Sequence, residues 1–311
     1  MKRGILVAGS LNMDFVLRVD SLPQPGETVR GRDFQMTPGG KGANQAAAVG
    51  RLGGQATMIG RVGADQFGEQ LRASLEAHGC DVSYVLATPD TSTGVAFIFV
   101  ESSGANQIAV AGGANTRLMP EDIHAAEGAF EKAGFLLVQL EAPLATVQAA
   151  LEMGRKHDLT TILDPGPARP LPPEVLRLVD ILTPNETEIL TFADSAEPAA
   201  MALQLAHSGP HRVILKMGEA GVLVAPAPTD ANGTSRYPAP RVKVVDTVAA
   251  GDCFNGALAV ALAEKRPFEE AVEFANAAAA LSVTRPGAQA SLPTREETER
   301  FRKNQVLRTE C

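Results

Sequence analysis

The sequence predicts an α/β fold: a central, mostly parallel sheet flanked by helices, with a small β-sheet lid. Three observations lead there. From residue 120 onward, short apolar runs alternate with helical stretches, as in strand–helix units joined by right-handed crossovers. Strand after strand ends in small or polar residues, where ligands bind in open α/β sheets. Residues 14–37 and 93–111 break the alternation with β-rich segments, the first too polar in places for a parallel core.

Bulk composition narrows the function classes. At 311 residues the chain can bury a large core, and 45% hydrophobic with 21% charged residues suits an ordinary soluble enzyme. A net charge of −8 argues against nucleic acid or an anionic membrane as partner. Any anionic ligand must then be held by local dipoles, a few cations or a metal. Cys80, Cys253 and Cys311 form neither a disulfide framework nor a metal motif, which fits a cytoplasmic protein. The histidines are scattered, which argues against a His-based zinc site. Ile5-Leu6-Val7 is too short an apolar run for a signal peptide, and no run is long enough to span a bilayer.

In chain order, Gly4 to Gly9 reads as a buried strand ending in Ser10-Leu11-Asn12-Met13-Asp14. Asn12 and Asp14 face a ligand there or form an Asx turn, and an Asp suits a vicinal diol because it accepts two hydrogen bonds. Phe15–Val19 and Thr28–Phe34 read as two strands of the lid. Pro38 to Ala48 is a Gly-rich turn running into a small-residue helix. It is not a Walker A loop, because Gly42 follows Lys41, and not a dinucleotide fingerprint, because Gln45 stands where Gly is needed. Lys41 and Asn44 are candidate ligand contacts, although close helix–strand packing alone also explains the small residues. Gln55–Val62 is a strand, Phe67–His78 a helix, and Asp81–Ala87 extends the sheet. Val95–Val100 and Gln107–Val110 form a hairpin across Ser102–Asn106, and pair with the first insertion into one small sheet. Its apolar face needs covering by ligand closure or a second subunit.

Further strands are Phe135–Leu140 ending at Glu141, Thr160–Leu163 ending at Asp164, Asp180–Thr183 ending at Pro184-Asn185, and Arg212–Lys216 ending at Met217-Gly218. Pro120 and Pro143 open helices, and Glu296–Arg308 is a charged helix. Without repeats or linkers, residues 1–311 divide most simply into one domain plus the lid. Finally, the run Val242, Val244, Val245 reads as a strand ending at Asp246, before Val248-Ala249-Ala250-Gly251-Asp252 and an Ala-rich helix from Gly256. Small residues at such a turn let backbone amides approach an anion. Asp252 is then either a general base beside that anion or a helix N-cap, and these two readings stand level. Cys253 reads as a small filler under the turn.

Several separated stretches together resemble the ribokinase family of carbohydrate kinases. They are Asn12 and Asp14, Gly39–Asn44, Glu141, Asn185–Glu188 and Asp246–Asp252, in order along essentially the whole chain. The runs Gly39–Gln45, Ala249–Asp252 and Val283–Gln289 look most like the ribose-phosphorylating members. The resemblance implies a ribokinase-like, Rossmann-type sandwich and transfer of the ATP γ-phosphoryl group to the 5-hydroxyl of D-ribose. It makes Asp252 the general base and the amides of Ala249, Ala250 and Gly251 the anion hole. It assigns the sugar to Asn12, Met13, Asp14, Gly40, Lys41, Gly42, Ala43, Asn44 and Glu141, with Asp252. ATP falls to Asn185, Lys216, Met217, Gly218, Glu219, Ala220, Gly221, Gly251 and Asn276. Glu188 would hold Mg²⁺ through water. Asp246, Val248, Ser282, Arg285, Gly287 and Ser291 would hold an activating K⁺. The chain departs from the family at Ala249, where many relatives have Gly, and at Cys253, often Thr. A homodimer through the lid is expected. The alternatives are a kinase for deoxyribose, fructose or a nucleoside, or a non-catalytic sugar sensor.

Overall fold

A computed structural model describes residues 4–101, 106–226 and 233–309. Met1–Arg3, Cys311 and the expected turn at Ser102–Ala105 lie outside the described residues. The chain opens with strand β1 (Gly4–Ala8), then β2 (Asn12–Val19), β3 (Gly31–Gly39), helix α1 (Lys41–Arg51), β4 (Ala56–Gly63), α2 (Gln66–Ala77) and β5 (Asp81–Thr88). The hairpin β6 (Gly94–Glu101) and β7 (Asn106–Ala111) follows, then α3 (Pro120–Ala125), α4 (Glu127–Phe130), β8 (Ala133–Gln139), α5 (Leu144–Lys156) and β9 (Thr160–Asp164). Next come α6 (Pro173–Leu176), β10 (Ile181–Leu182), α7 (Pro198–His207), β11 (Arg212–Lys216), β12 (Val222–Ala225), β13 (Ser235–Tyr237), α8 (Ala250–Ala263), α9 (Phe268–Ser282) and α10 (Arg295–Thr309).

The large sheet has the order β13-β12-β11-β10-β9-β8-β1-β4-β5. Seven of these strands run parallel, from β5 across to β11, and β12 and β13 add an antiparallel edge. From β1 the chain proceeds outward through β4 and β5, then returns to β8 on the other side of β1. The strand order therefore reverses between β1 and β8, which is where such sheets open a crevice beyond their carboxyl ends. Alternate residues of β1 enter opposite cores: Ile5 and Val7 pack with α1, α8 and α9, whereas Leu6 and Ala8 pack with α5 and α7. Both faces are covered, which is why these strands read as continuous apolar runs. The alanines and glycines of α8 allow very close approach to α1: a Cβ on Gly256 would lie 2.7 Å from the Ala48 Cβ.

The lid is a second sheet, order β3-β2-β6-β7. The register places Phe15, Phe34, Met36 and Phe97 on one face and Asp14, Ile98, Ile108 and Val110 on the other. Phe15 anchors the lid to the body by an edge-to-face contact with Phe67 at 5.5 Å between centroids.

Several boundaries differ from expectation, for tertiary reasons. The second lid strand begins at Gly31 rather than Thr28 and continues to Gly39, because β2 supplies a pairing partner along that whole length. The expected Asp180–Thr183 strand contracts to Ile181–Leu182. The Val242–Val245 run is not a strand: among the described residues no strand pairs with it. Val244 and Val245 are exposed, and the segment is held by the Val245 and Asp246 amides donating to the Val283 carbonyl. The edge strands β12 and β13 were not anticipated. Gly221, with φ +88, lets the chain reverse so that β12 pairs antiparallel with β11.

Candidate active site

Helix α8 starts at Ala250, earlier than expected, so Ala250, Gly251 and Asp252 form its first turn. The Ala250 amide donates to the Thr247 carbonyl at 3.3 Å, whereas the Gly251 and Asp252 amides lie among the N–H groups at the helix start that have no intrahelical acceptor. The N-cap is Ala249, which makes no side-chain capping bond. Asp252 therefore does not cap the helix. Its carboxylate instead accepts hydrogen bonds from Asn44 Nδ2 at 3.1 Å and Gln45 Nε2 at 3.0 Å, both on α1. The group is almost wholly buried. Desolvation pushes its pKa up to about 6, against the opposing pull of Lys41 and the two amide donors. An acid held this way accepts a proton near neutral pH.

Ala249 has φ +59, a left-handed conformation that costs a non-glycine residue roughly 1–3 kcal/mol. We expect Ala249→Gly to raise stability by up to about 1 kcal/mol, read from the denaturant midpoint, with the first-turn amides left in place. A lower midpoint would mean that the Ala methyl contributes packing that outweighs the strain.

The candidate residues at the ends of β1 and β8 and the start of α1 converge at the switch point. Ser10 Oγ donates to Glu141, and the Lys41 amide donates to Glu141 Oε2 at 3.0 Å. This ties the ends of β1 and β8 to the start of α1. Gly40 and Gly42 permit it: a Cβ on Gly40 would lie 2.8 Å from the Asn12 nitrogen, and one on Gly42 2.6 Å from the Ser10 nitrogen. Asn12 Oδ1 accepts from Asn115 Nδ2 at 2.8 Å. Asn115 also accepts from the Leu11 amide, so it orients Asn12 from the loop after β7. Asp14 is buried, and desolvation first, then the charges of Glu141 and Asp252, push it up to about 7. Asn44 Oδ1 is buried with no partner in the protein, leaving an acceptor for a hydroxyl donor. Met13 and Ala43 turn their side chains into the core, so only their backbone can face a ligand.

Across Asp252 lies a cavity of about 390 Å³ lined by Lys41, Asn185, Glu188, Lys216, Gly251 and Asp252 among others. The Lys41 ammonium points into it, 3.6 Å from Asp164 Oδ1 and 3.9 Å from Glu188 Oε1, so its charge faces this cavity while its amide serves Glu141. The Lys216 ammonium lies 3.5 Å from Asp164 Oδ2. A Cβ on Gly251 would sit 3.1 Å from the same ammonium, which places this cation beside the α8 turn. The site therefore has two local cations, although the whole chain carries −8. A second space of about 700 Å³ continues outward between Gly218–Ala220, Val242, Val244, Ala280 and Val283. It is more apolar and suits a planar ring. Asn276 borders both spaces, with its amide nitrogen donating to the Tyr237 carbonyl at 3.0 Å. Glu219 and Ala220 line the outer space, whereas the Met217 side chain is buried.

The metal candidates divide into two groups. Glu188 Oε2 accepts from the Asn185 amide at 2.8 Å, and Glu188 lines the inner cavity. One carboxylate there suits Mg²⁺, which takes most of its ligands from phosphates and water. The Asp246 carboxylate clips two segments together, accepting from the Val248 amide at 3.0 Å and the Gly287 amide at 2.9 Å. Ser282 Oγ and Ser291 Oγ donate to the nearby carbonyls of Ala279 and Ala288, and the Arg285 guanidinium pairs with Glu297. A cation here would be met by the Asp246 carboxylate and backbone carbonyls. Cys253 is fully buried against the Ser282 hydroxyl, its thiol pushed up to about 12 by desolvation, which suits packing rather than nucleophilic chemistry.

Asp164, Gln45, Gln139, Asn255 and Asn115 were missed as site residues. Asp164 had one available signal, its position at a strand end.

A model of the pfkB family carbohydrate kinases matches residues 2–295. The ribokinase of Haemophilus influenzae is 40% identical over 307 residues, covering 97% of this chain and 99% of the relative. The deoxyribokinase of Salmonella typhi is 38% identical over 303 residues, covering 96% and 98%. The structure of Arabidopsis thaliana ribokinase complexed with ribose and ATP superposes with a TM-score of 0.87 at 32% identity, covering 97% of this chain and 99% of that one. An α/β sheet with a lid, a buried acid at a helix start and a family match across nearly the whole length lead to one conclusion: this chain belongs to the pfkB family of carbohydrate kinases.

Proposed function

We propose that this kinase phosphorylates D-ribose on its 5-hydroxyl, using ATP. The observation that carries the reading is Asp252, buried and hydrogen-bonded yet excluded from capping, between the Asn12–Asp14–Glu141 cluster and the lysine-lined cavity. The sugar would sit under the lid against Asn12, Asp14, Asn44 and Glu141. Asp252 would take the 5-hydroxyl proton as that oxygen attacks the γ-phosphorus. The amides of Ala249, Ala250 and Gly251, with Lys41 and Lys216, would stabilise charge on the transferring group. Glu188 would hold Mg²⁺ through water, and Mg²⁺ neutralises phosphate charge during transfer. K⁺ beside Asp246 would brace the loop leading into the α8 turn. We read residues 1–311 as one domain with its lid, acting in the cytoplasm on small molecules rather than on nucleic acid or membrane.

A second reading, 2-deoxyribose as acceptor, is favoured by the deoxyribokinase relative. A coupled ADP-release assay across ribose, deoxyribose, fructose and adenosine, run in K⁺ and in Na⁺, tests both. Ribose should give the highest kcat/KM, and K⁺ should raise activity over Na⁺. Faster turnover of deoxyribose would transfer the assignment, and equal activity in the two salts would remove the cation role.

The lid points to a homodimer. Phe34, Met36 and Phe97 on one face, and Ile108 and Val110 on the other, are 47–58% exposed, and clustered exposed apolar side chains mark interaction surfaces. Sedimentation should give a dimer, and Phe97→Asp should shift it toward monomer. A wild-type monomer with full activity would reject the arrangement. Among the described residues no helix is long and apolar enough to cross a membrane, so these side chains are not part of a spanning helix.

A further inference from the structure

Asp252 shares a hydrogen-bond donor with a second buried carboxylate. Gln45 Nε2 lies 3.0 Å from Asp252 Oδ1 and 3.2 Å from Asp164 Oδ2. The Gln45 carbonyl oxygen accepts from Gln139 Nε2 at 2.7 Å. That bond decides which end of the Gln45 amide meets the carboxylates, because turning it over would set its oxygen against two anions. Gln45 and Gln139 are fully buried and Asp164 is 1% exposed, so water cannot substitute for any of these contacts. Asp164 also accepts from Asn255 Nδ2 at 3.0 Å and from the Gly166 amide at 3.2 Å, which fixes it without help from a ligand.

We infer that Gln45 and Asp164 are positioning residues that set the orientation and basicity of Asp252 in opposite senses, the Gln45 amide stabilising its anion and the Asp164 charge opposing it. The inference rests on the reading of Asp252 as general base. A donor to an ionised carboxylate favours the charged form, while a nearby like charge disfavours it. The other groups facing Asp252 come from several elements: Lys41 on α1, Asp14 on β2 and the neighbouring Cys253 thiol. Lys216 on β11 lies beside the adjoining Gly251, and Glu141 and Glu188 act on Lys41. Asp164 draws both ammonium groups toward itself, so removing its charge also leaves Lys41 freer to favour ionised Asp252. Both effects of Asp164 thus have the same sign, and Gln45 works against them.

The test is the acid limb of the kcat/KM profile for the sugar, measured for wild type, Gln45→Met and Asp164→Asn, with melting curves to establish folding. Gln45→Met keeps the side chain's length without its donor and should move the limb up by about one pH unit. Asp164→Asn keeps the shape without the charge and should move it down by a similar amount. If Gln45→Met does not fold, Gln139→Met, which frees the Gln45 amide to turn, should shift the limb upward in its place. Shifts in opposite directions support the inference, because a purely structural defect would lower activity at every pH. Limbs that stay put, or that move in the same direction, overturn it. Asp252→Asn run alongside separates the two claims. An active Asp252→Asn enzyme removes the base itself, whereas an inactive one with unmoved limbs removes only this coupling.

Discussion

Asp252→Asn should lower turnover by roughly 10²–10⁴-fold while sugar affinity stays within a few-fold. Asn preserves the volume of the side chain and its place in the first turn of α8, but it cannot take a proton. Its neighbours Asn44 and Gln45 each aim an amide nitrogen at this position, so one of the three amides must reorient in the variant. The fold should tolerate this, because the substitution also removes a carboxylate whose charged form is penalised by burial. The check is kcat by coupled assay beside a calorimetric ribose titration. Parallel loss of turnover and binding, with a lowered melting temperature, would return Asp252 to a structural role.

Lys41→Met should cost roughly 10²–10³-fold in kcat, the range seen when a single donor to a developing anion is removed. The Met side chain keeps the apolar stem and deletes the ammonium that faces the cavity from α1. Lys41 stands near Asp164, Glu188 and Asp252, so its removal leaves buried carboxylates with Lys216 as the nearby cation. Asp252 then becomes harder to ionise, and the acid limb moves to higher pH, the reverse of the Asp164→Asn effect. The measurement is kcat with separate KM values for ATP and sugar. A variant whose sugar KM rises while kcat holds would put Lys41 on the sugar instead of the phosphoryl group.

Much of the site was legible because its residues occur in short local groups. Gly40, Lys41 and Gly42 announce a tight turn at a helix start, and the close approaches to Ser10 and Asn12 show why no larger residue fits at the two glycines. Asn185 and Glu188 are three residues apart and bond to each other directly. The contest at Asp252 could not be decided locally, since an Asp beside a helix start reads as a cap as readily as a base. The capping reading is removed by Asn44 and Gln45, some 200 positions earlier in the chain, which claim both carboxylate oxygens.

What the sequence determined by itself was the α/β alternation, the polar residues at the strand ends, the two lid segments and the family. These depend on periodicity and on the chemistry of neighbouring residues, which any short window contains. Only the tertiary structure decided that Val242–Val245 is not paired in a strand, that Ala249 takes a left-handed conformation, and that Asp164 and Gln45 stand behind Asp252. Pairing, burial and shared hydrogen bonds depend on which distant segments the fold brings together. A buried polar side chain such as Gln45 therefore looks like ordinary helix until its partners on α8, β8 and β9 are in place.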